Sequence, residues 1–297
     1  MTFDRFSNNI GLALGGGGAR GVAHIGVLKA LSESKLKIGC ISGTSVGAFI
    51  ATLYAFGLSW SEIQDIFSKM SLSKIGNFTF KLGYPGLMDG SPIAETVRKY
   101  IGDVDISESK IPLALVCCDL ISGKNVVLTE GPAPLLVQAS GAFPGLFHPV
   151  EYNGMLLVDG FLTENVPVSA IKKLKSNFIV AVKVGAKEFD SSESLGIKNV
   201  LNRSFDILVD KPLEHSLDYR SYLIDLDLSH IDRFKVSHIN ESIDLGYNQT
   251  QVMLNKSILY WYFRPIRKLF FELSQSWLRF LSSILNLPKL KSKFRSN

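Results

Sequence analysis

The sequence predicts an α/β protein, a three-layer α/β/α arrangement around a mainly parallel central sheet. Two observations carry this. Short apolar runs suited to buried strands alternate with longer segments of helical spacing, and two of the strand-to-helix junctions are glycine-rich turns. With 297 residues, 46% hydrophobic and 20% charged, the chain can bury an ample core and has the balance of an ordinary globular protein. It divides into one large domain, residues 1–255, and an extension, residues 256–297.

Ile10 to Leu14 reads as the first strand. Gly15, Gly16, Gly17, Gly18, Ala19, Arg20 and Gly21 follow, then a helical run from Val22 to Leu31. Consecutive glycines at a helix N-terminus present backbone N–H groups to an anion. Such a loop suits the pyrophosphate of a dinucleotide or the oxyanion of an acyl-transfer intermediate. Dinucleotide binding also needs an acid about 20 residues on, at the end of the second strand. That strand runs instead into Gly43-Thr44-Ser45-Val46-Gly47, and Glu33 sits in helix-end company, so the dinucleotide reading is disfavoured.

The second junction is built to present one hydroxyl. Ile38 to Ile41 is a buried strand and Val46 to Phe56 a helix closed by Gly57, with Ser45 at the bend. So sharp a turn brings backbone against backbone, which Gly43 and Gly47 permit by lacking side chains. Ser45 then stands at the positive end of a helix, where developing negative charge is stabilised. The bland alternative is a tight turn with a capping serine.

Farther on, Ser59 to Met70 is a helix opened by a capping box of Ser59 and Glu62, and residues 71–90 read as a long loop, a flexible cover over the site. Ser91-Pro92 starts a helix that ends near Gly102. Ile111 to Cys118 is a strand paired with Asn125 to Thr129, Pro134 to Ser140 is helical, and Phe143 to Pro149 is an irregular apolar loop. Met155 to Val158 is a strand that breaks at Asp159-Gly160. An acid at the C-terminal edge of a parallel strand stands where such sheets place their chemistry. On its own, though, Asp159-Gly160 reads first as a turn, like Asp89-Gly90. A helix from Val166 to Leu174, a strand from Phe178 to Val184, an amphipathic helix from Leu195 to Val209, an edge strand from Tyr222 to Leu228 and a long helix from Ile239 to Tyr262 complete the domain. None of the five histidines lies in a context that fixes it as a base; His148, in the apolar loop, is the nearest candidate.

Charge narrows the partners. Of the net +5, residues 256–297 carry nine Lys or Arg against one Glu, which leaves the main body at −3. An acidic body argues against nucleic acid. The tail argues for an anionic membrane surface: Ile266, Leu269, Phe270, Leu273, Trp277 and Phe280 share helical spacing, and a lysine-rich end follows Pro288. Docking of the same helix on the domain or on a second subunit is the alternative, so a homo-oligomer stays open. Cys40, Cys117 and Cys118 lie in apolar runs without metal-ligand spacing and read as buried free thiols. Lacking a secretory apolar core near Met1, the sequence is expected in the cytoplasm or peripherally on the cytosolic face of a membrane.

The glycine loop with Arg20, the serine elbow and the Asp-Gly, in that order, resemble the patatin-like phospholipase family. So do Ala139-Ser140-Gly141-Ala142-Phe143-Pro144-Gly145 and Asn165-Val166-Pro167-Val168, and the likeness covers residues 8–185. The resemblance implies a patatin-like fold and a Ser-Asp dyad with no histidine, metal or organic cofactor. Ser45 is then the nucleophile and Asp159 the general base. The glycine loop, Gly16 to Gly21, forms the oxyanion hole through the amides around Gly17, Gly18 and Ala19, and Arg20 fixes that loop. The implied substrates are phospholipids or lysophospholipids. Acyl transfer to an alcohol, or a membrane-bound scaffold without activity, are the alternatives. The chain departs from the family pattern at Phe161, where Gly or Ala usually follows Asp-Gly; a ring there is expected to narrow the pocket or shift the aspartate.

Overall fold

The computed structural model describes residues 9–34, 36–69, 77–78, 86–185, 216–231 and 238–262, with isolated positions between 196 and 213 and at 273. The helix expected from Leu195 to Val209 and the amphipathic tail lie, isolated positions apart, outside the described residues.

Strand β1 (Asn9–Leu14) leads through a 3-10 turn (Gly18–Val22) into α1 (Ala23–Ser32), and β2 (Lys37–Thr44) leads at Ser45 into α2 (Val46–Ala55). Helix α3 (Trp60–Ser68) carries the expected capping box, the Ser59 hydroxyl accepting the Glu62 amide and the Glu62 carboxylate accepting the Ser59 amide. Then come β3 (Asn77–Phe78), β4 (Gly86–Asp89), α4 (Ser91–Ile101), β5 (Leu113–Asp119), β6 (Lys124–Leu128) and α5 (Ala133–Ser140). The second half comprises β7 (Gly145–Phe147), β8 (Val150–Tyr152), β9 (Met155–Asp159), α6 (Phe161–Glu164), α7 (Val168–Lys173), β10 (Ile179–Gly185), β11 (Ser221–Asp227) and α8 (Ile239–Tyr262).

Alternation along the strands makes the layers. In β1, Leu12 and Leu14 face the larger core shared with α1 and α2, while Ala13 packs with Val168 and Ile171 of α7 on the other face. In β5, Leu115 and Cys117 go to the larger core and Ala114 and Val116 to a separate small cluster with Ala170 of α7. Two glycines let α1 and α8 touch. A Cβ on Gly26 would fall 1.9 Å from the Ile243 carbonyl oxygen, and one on Gly246 would fall 2.0 Å from that of Ala23.

The sheet is parallel from β11 through β10, β1 and β2 to β5, and antiparallel beyond. A strand has two hydrogen-bonding edges. Strand β6 occupies one edge of β5 along Leu115 to Asp119. Strand β2, opposite Leu113 to Val116, and β9, opposite Cys117 to Asp119, must therefore share the other. They approach from opposite directions and meet end to end. The C-terminal edge of a parallel strand expected for Asp159 is thus corrected, since β9 runs antiparallel to β5. Its direction is set by the hairpin with β8, whose tip is Asn153-Gly154 at φ 48° and 75°, a backbone that suits Asn-Gly.

Two expected loops also contain strands. Residues 71–90 contribute β3 and β4, and the apolar segment from Phe143 to Pro149 contributes β7, which together make a second, three-stranded sheet. Met88, Ala142 and Phe147 form its own small core.

Candidate active site

Ser45 is held in a strained bend. Its φ of 58° and ψ of −127° are unusual for a non-glycine residue, a conformation costing about 1–3 kcal/mol that persists only where neighbours impose it. The neighbours are visible. A Cβ on Gly43 would sit 2.4 Å from the Gly47 carbonyl oxygen, and one on Gly47 would sit 2.2 Å from that of Leu14. The Ser45 amide donates to Ser140 Oγ at 3.0 Å, and the Ser140 hydroxyl donates onward to the Val116 carbonyl at 2.7 Å. A hydroxyl thus links the two backbones where β2 leaves the sheet. Below it, the hydroxyls of Thr44 and Ser42 donate to the carbonyls of Glu164 and Pro167, tying the strand to the segment after β9.

Asp159 ends the strand that meets β2. Thr44 lies opposite Val116 and Asp159 opposite Cys117, so the residue before Ser45 and the carboxylate occupy consecutive rungs of one edge, about 3.3 Å of strand rise apart. Asp159 is 1% exposed; its Oδ1 accepts the Phe161 amide at 3.0 Å and its own amide donates to the Ala142 carbonyl. Gly160 is required because a Cβ there would lie 2.5 Å from the Val116 carbonyl oxygen. The Phe161 ring is buried and stacks on Phe143, centroids 4.8 Å apart and planes within 7°, while its amide still reaches the carboxylate.

The glycine loop lies beside the serine. A Cβ on Gly16 would fall 3.1 Å from Ser45 Cβ and 2.7 Å from Asn165 Oδ1. Its residues divide by what their amides do. Those of Gly15 and Gly16 donate to the carbonyls of Val182 and Asn165. Those of Gly17, Gly18 and Ala19 make no hydrogen bond among the described residues, as befits the first turn of a helix. Gly18 has φ 59°, and Gly21 faces Val46, whose Cγ1 would be 2.2 Å from an added Cβ. Arg20 Nε donates to the Ile231 carbonyl at 2.7 Å, fastening the loop to the chain beyond β11. His24 fastens it from below: its Nε2 lies 2.7 Å from the Gly15 carbonyl oxygen, and burial holds its pKa down at about 4. The ring is therefore neutral at pH 7, and Nε2–H is the donor.

Sequence reasoning gave no role to Ser140, His24 or Asn165, which hold the bend and the loop in place. The signal for Ser140 and Asn165 lay in the quoted segments that contain them; for His24 it was a lone polar residue on an apolar helix. His148 has its Nε2 on the Gly86 carbonyl in the small sheet. The three cysteines are free and buried, and the Cys117 thiol is pushed far above its usual range, first by burial and then by the Asp159 charge. It is a buried packing residue, kept as the thiol rather than the thiolate.

A family model described as Patatin-like phospholipase matches residues 12–171. An uncharacterized NTE family protein of Mycobacterium tuberculosis is 35% identical over 187 residues, 61% of this chain and 51% of its own. The lysophospholipase NTE1 of Chaetomium globosum is 33% identical over 192 residues, 63% of this chain and 13% of its own. The chain thus spans about half the length of its mycobacterial relatives and a small part of the fungal ones. Among solved structures, VipD from Legionella pneumophila superposes with a TM-score of 0.55 at 15% identity, over 84% of this chain and 66% of its own, a likeness of fold.

Proposed function

The chain belongs to the patatin-like phospholipase family, and from that premise we propose that it is a serine hydrolase of lipid esters, acting on phospholipids or lysophospholipids. The observation that carries the reading is the end-to-end meeting of β2 and β9 on one edge of β5, with the glycine loop alongside Ser45.

In this reading Ser45 Oγ attacks the ester carbonyl while Asp159 takes its proton. The oxyanion is received by the amides of Gly17, Gly18 and Ala19, each worth about 3 kcal/mol by analogy with other such donors. Collapse expels the alcohol, which leaves with the proton held by Asp159, and the acyl group stays on Ser45. Water then enters by the reverse route and releases the fatty acid. A solvated aspartate is a weak base, with a pKa of about 3.9, but it has only to accept the proton as attack proceeds. Residues 1–255 supply the catalysis; residues 256–297 bring the enzyme to the cytosolic face of an anionic membrane.

The test is to label with a fluorophosphonate, map the adduct and assay a lipid panel for free fatty acid. The adduct is expected on Ser45 with fatty acid released; an adduct elsewhere, or release that survives Ser45→Ala, overturns the dyad. Removing residues 264–297 is expected to lower liposome binding much more than hydrolysis of a soluble short-chain ester; equal losses overturn the membrane role of the tail.

A further inference from the structure

Turn tips ordinarily carry small polar residues. The tip between β5 and β6 instead carries Leu120 and Ile121, 45% and 72% exposed. It is rigid. The buried Asp119 carboxylate accepts the Ile121 amide at 3.1 Å through Oδ1 and the Ser122 amide and hydroxyl at 3.2 Å and 2.6 Å through Oδ2; Oδ1 also accepts the Leu156 amide. The Leu120 amide donates to the Leu156 carbonyl and the Gly123 amide to that of Asp119. A third apolar side chain, Leu162, is 42% exposed on α6, and α6 is fixed to the root of the same hairpin through Asn125. That side chain accepts the Thr163 hydroxyl at 3.1 Å and donates to Glu164 Oε2 at 2.9 Å.

The location supplies the occupant. Strand β5 continues two residues past Cys117, the rung of Asp159, about 7 Å at the strand's rise, and Ile121 lies in the turn beyond its end, farther out than the carboxylate. Amphipathic elements sink ~5–10 Å into a bilayer interface, a depth at which such a tip leaves the site level with the ester bonds of the head-group region. We propose that Leu120, Ile121 and Leu162 form a lipid-contacting lip that inserts into the membrane and seats the catalytic edge on it. This deepens the hydrolase reading and rests on it for the choice of a lipid surface over another partner.

The test places a polarity-sensitive fluorophore on Ile121→Cys of the full chain and adds vesicles of phosphatidylcholine and phosphatidylglycerol. Ser32→Cys, exposed at the end of α1 and hence at the opposite edge of the sheet, serves as the control. A blue shift at position 121 and none at 32 is expected, with the same shift when Ser45 is also Ala. The Ile121→Ser, Leu162→Ser double variant is expected to partition onto vesicles at least roughly tenfold more weakly, from the apolar area withdrawn, while turning over a soluble short-chain ester at the parental rate. No shift at 121, equal partitioning of the double variant, or a shift that grows with protein concentration in the absence of vesicles, which identifies a second copy as the occupant, overturns the lip. Because insertion is read without turnover, a failure of the hydrolase chemistry leaves this result standing, and a failure of insertion leaves the soluble-ester assay standing.

Discussion

Glycine does the same steric job at two places in this molecule, and the outcomes differ. At the crossing of α1 and α8, Gly26 and Gly246 let two helix backbones touch, and the product is cohesion. At the elbow, Gly43 and Gly47 let strand, turn and loop backbones touch, and the product is a bent serine beside uncommitted amides. In the first region the freed space is filled symmetrically. In the second, the crowding falls on Ser45, whose backbone is held in a strained conformation by its surroundings. Close packing thus gives cohesion in one region and, on the proposed hydrolase reading, reactivity in the other.

The contrast sharpens under substitution. Asp159→Asn removes a base without changing shape and is expected to slow ester hydrolysis by roughly 10³–10⁴, as when other hydrolases lose a dyad or triad member, with little change in melting temperature. Activity above a tenth of wild type would count against the pairing with Ser45. Gly246→Val should show the reverse. Its side chain is driven onto the Ala23 carbonyl, and a loss of about 3 kcal/mol in urea unfolding is expected while turnover per folded molecule is retained. Unchanged stability would show that the two helices can part without cost.

His24 joins the two regions, lying in α1 with its ring on the glycine loop. An unfolded histidine takes up a proton below pH 6.5, whereas the buried ring does so only near 4. Its contribution is therefore complete above the first value and lost as pH falls toward the second, by about 3 kcal/mol in all. In unfolding titrations that slope should be missing from His24→Gln; its persistence would assign the acid sensitivity elsewhere. Smallest of all, Ser140→Ala leaves the Ser45 amide and the Val116 carbonyl without their link, at a cost of about 2 kcal/mol. The expected signature is a fall in kcat with KM nearly constant, and a proportional rise in KM instead would make Ser140 a substrate contact.

Much of this was legible in the sequence because it is local. The first strand and glycine loop, the capping box at Ser59 and the elbow at Ser45 each depend on residues a few positions apart, and each is found where the pattern puts it. Strand β9 was legible as a strand, but its direction depends on which edge of β5 it joins, a long-range matter. The clue was at hand in Asn153-Gly154, a two-residue hairpin tip between apolar runs. Strands β3, β4 and β7 are two to four residues long, too short to show alternation, and they exist through pairing with one another. His24 and Ser140 have their roles only through partners that the fold brings to them.

The shared edge of β5 also bears on timing. A ribosome releases the serine long before the aspartate, and β9 finds its seat only after β5 has been made and β8 has turned back. If the two side chains act together, a growing chain that has not yet paired β9 with β5 cannot attack a lipid, and that pairing, rather than the making of the serine elbow, is the step that arms the chain.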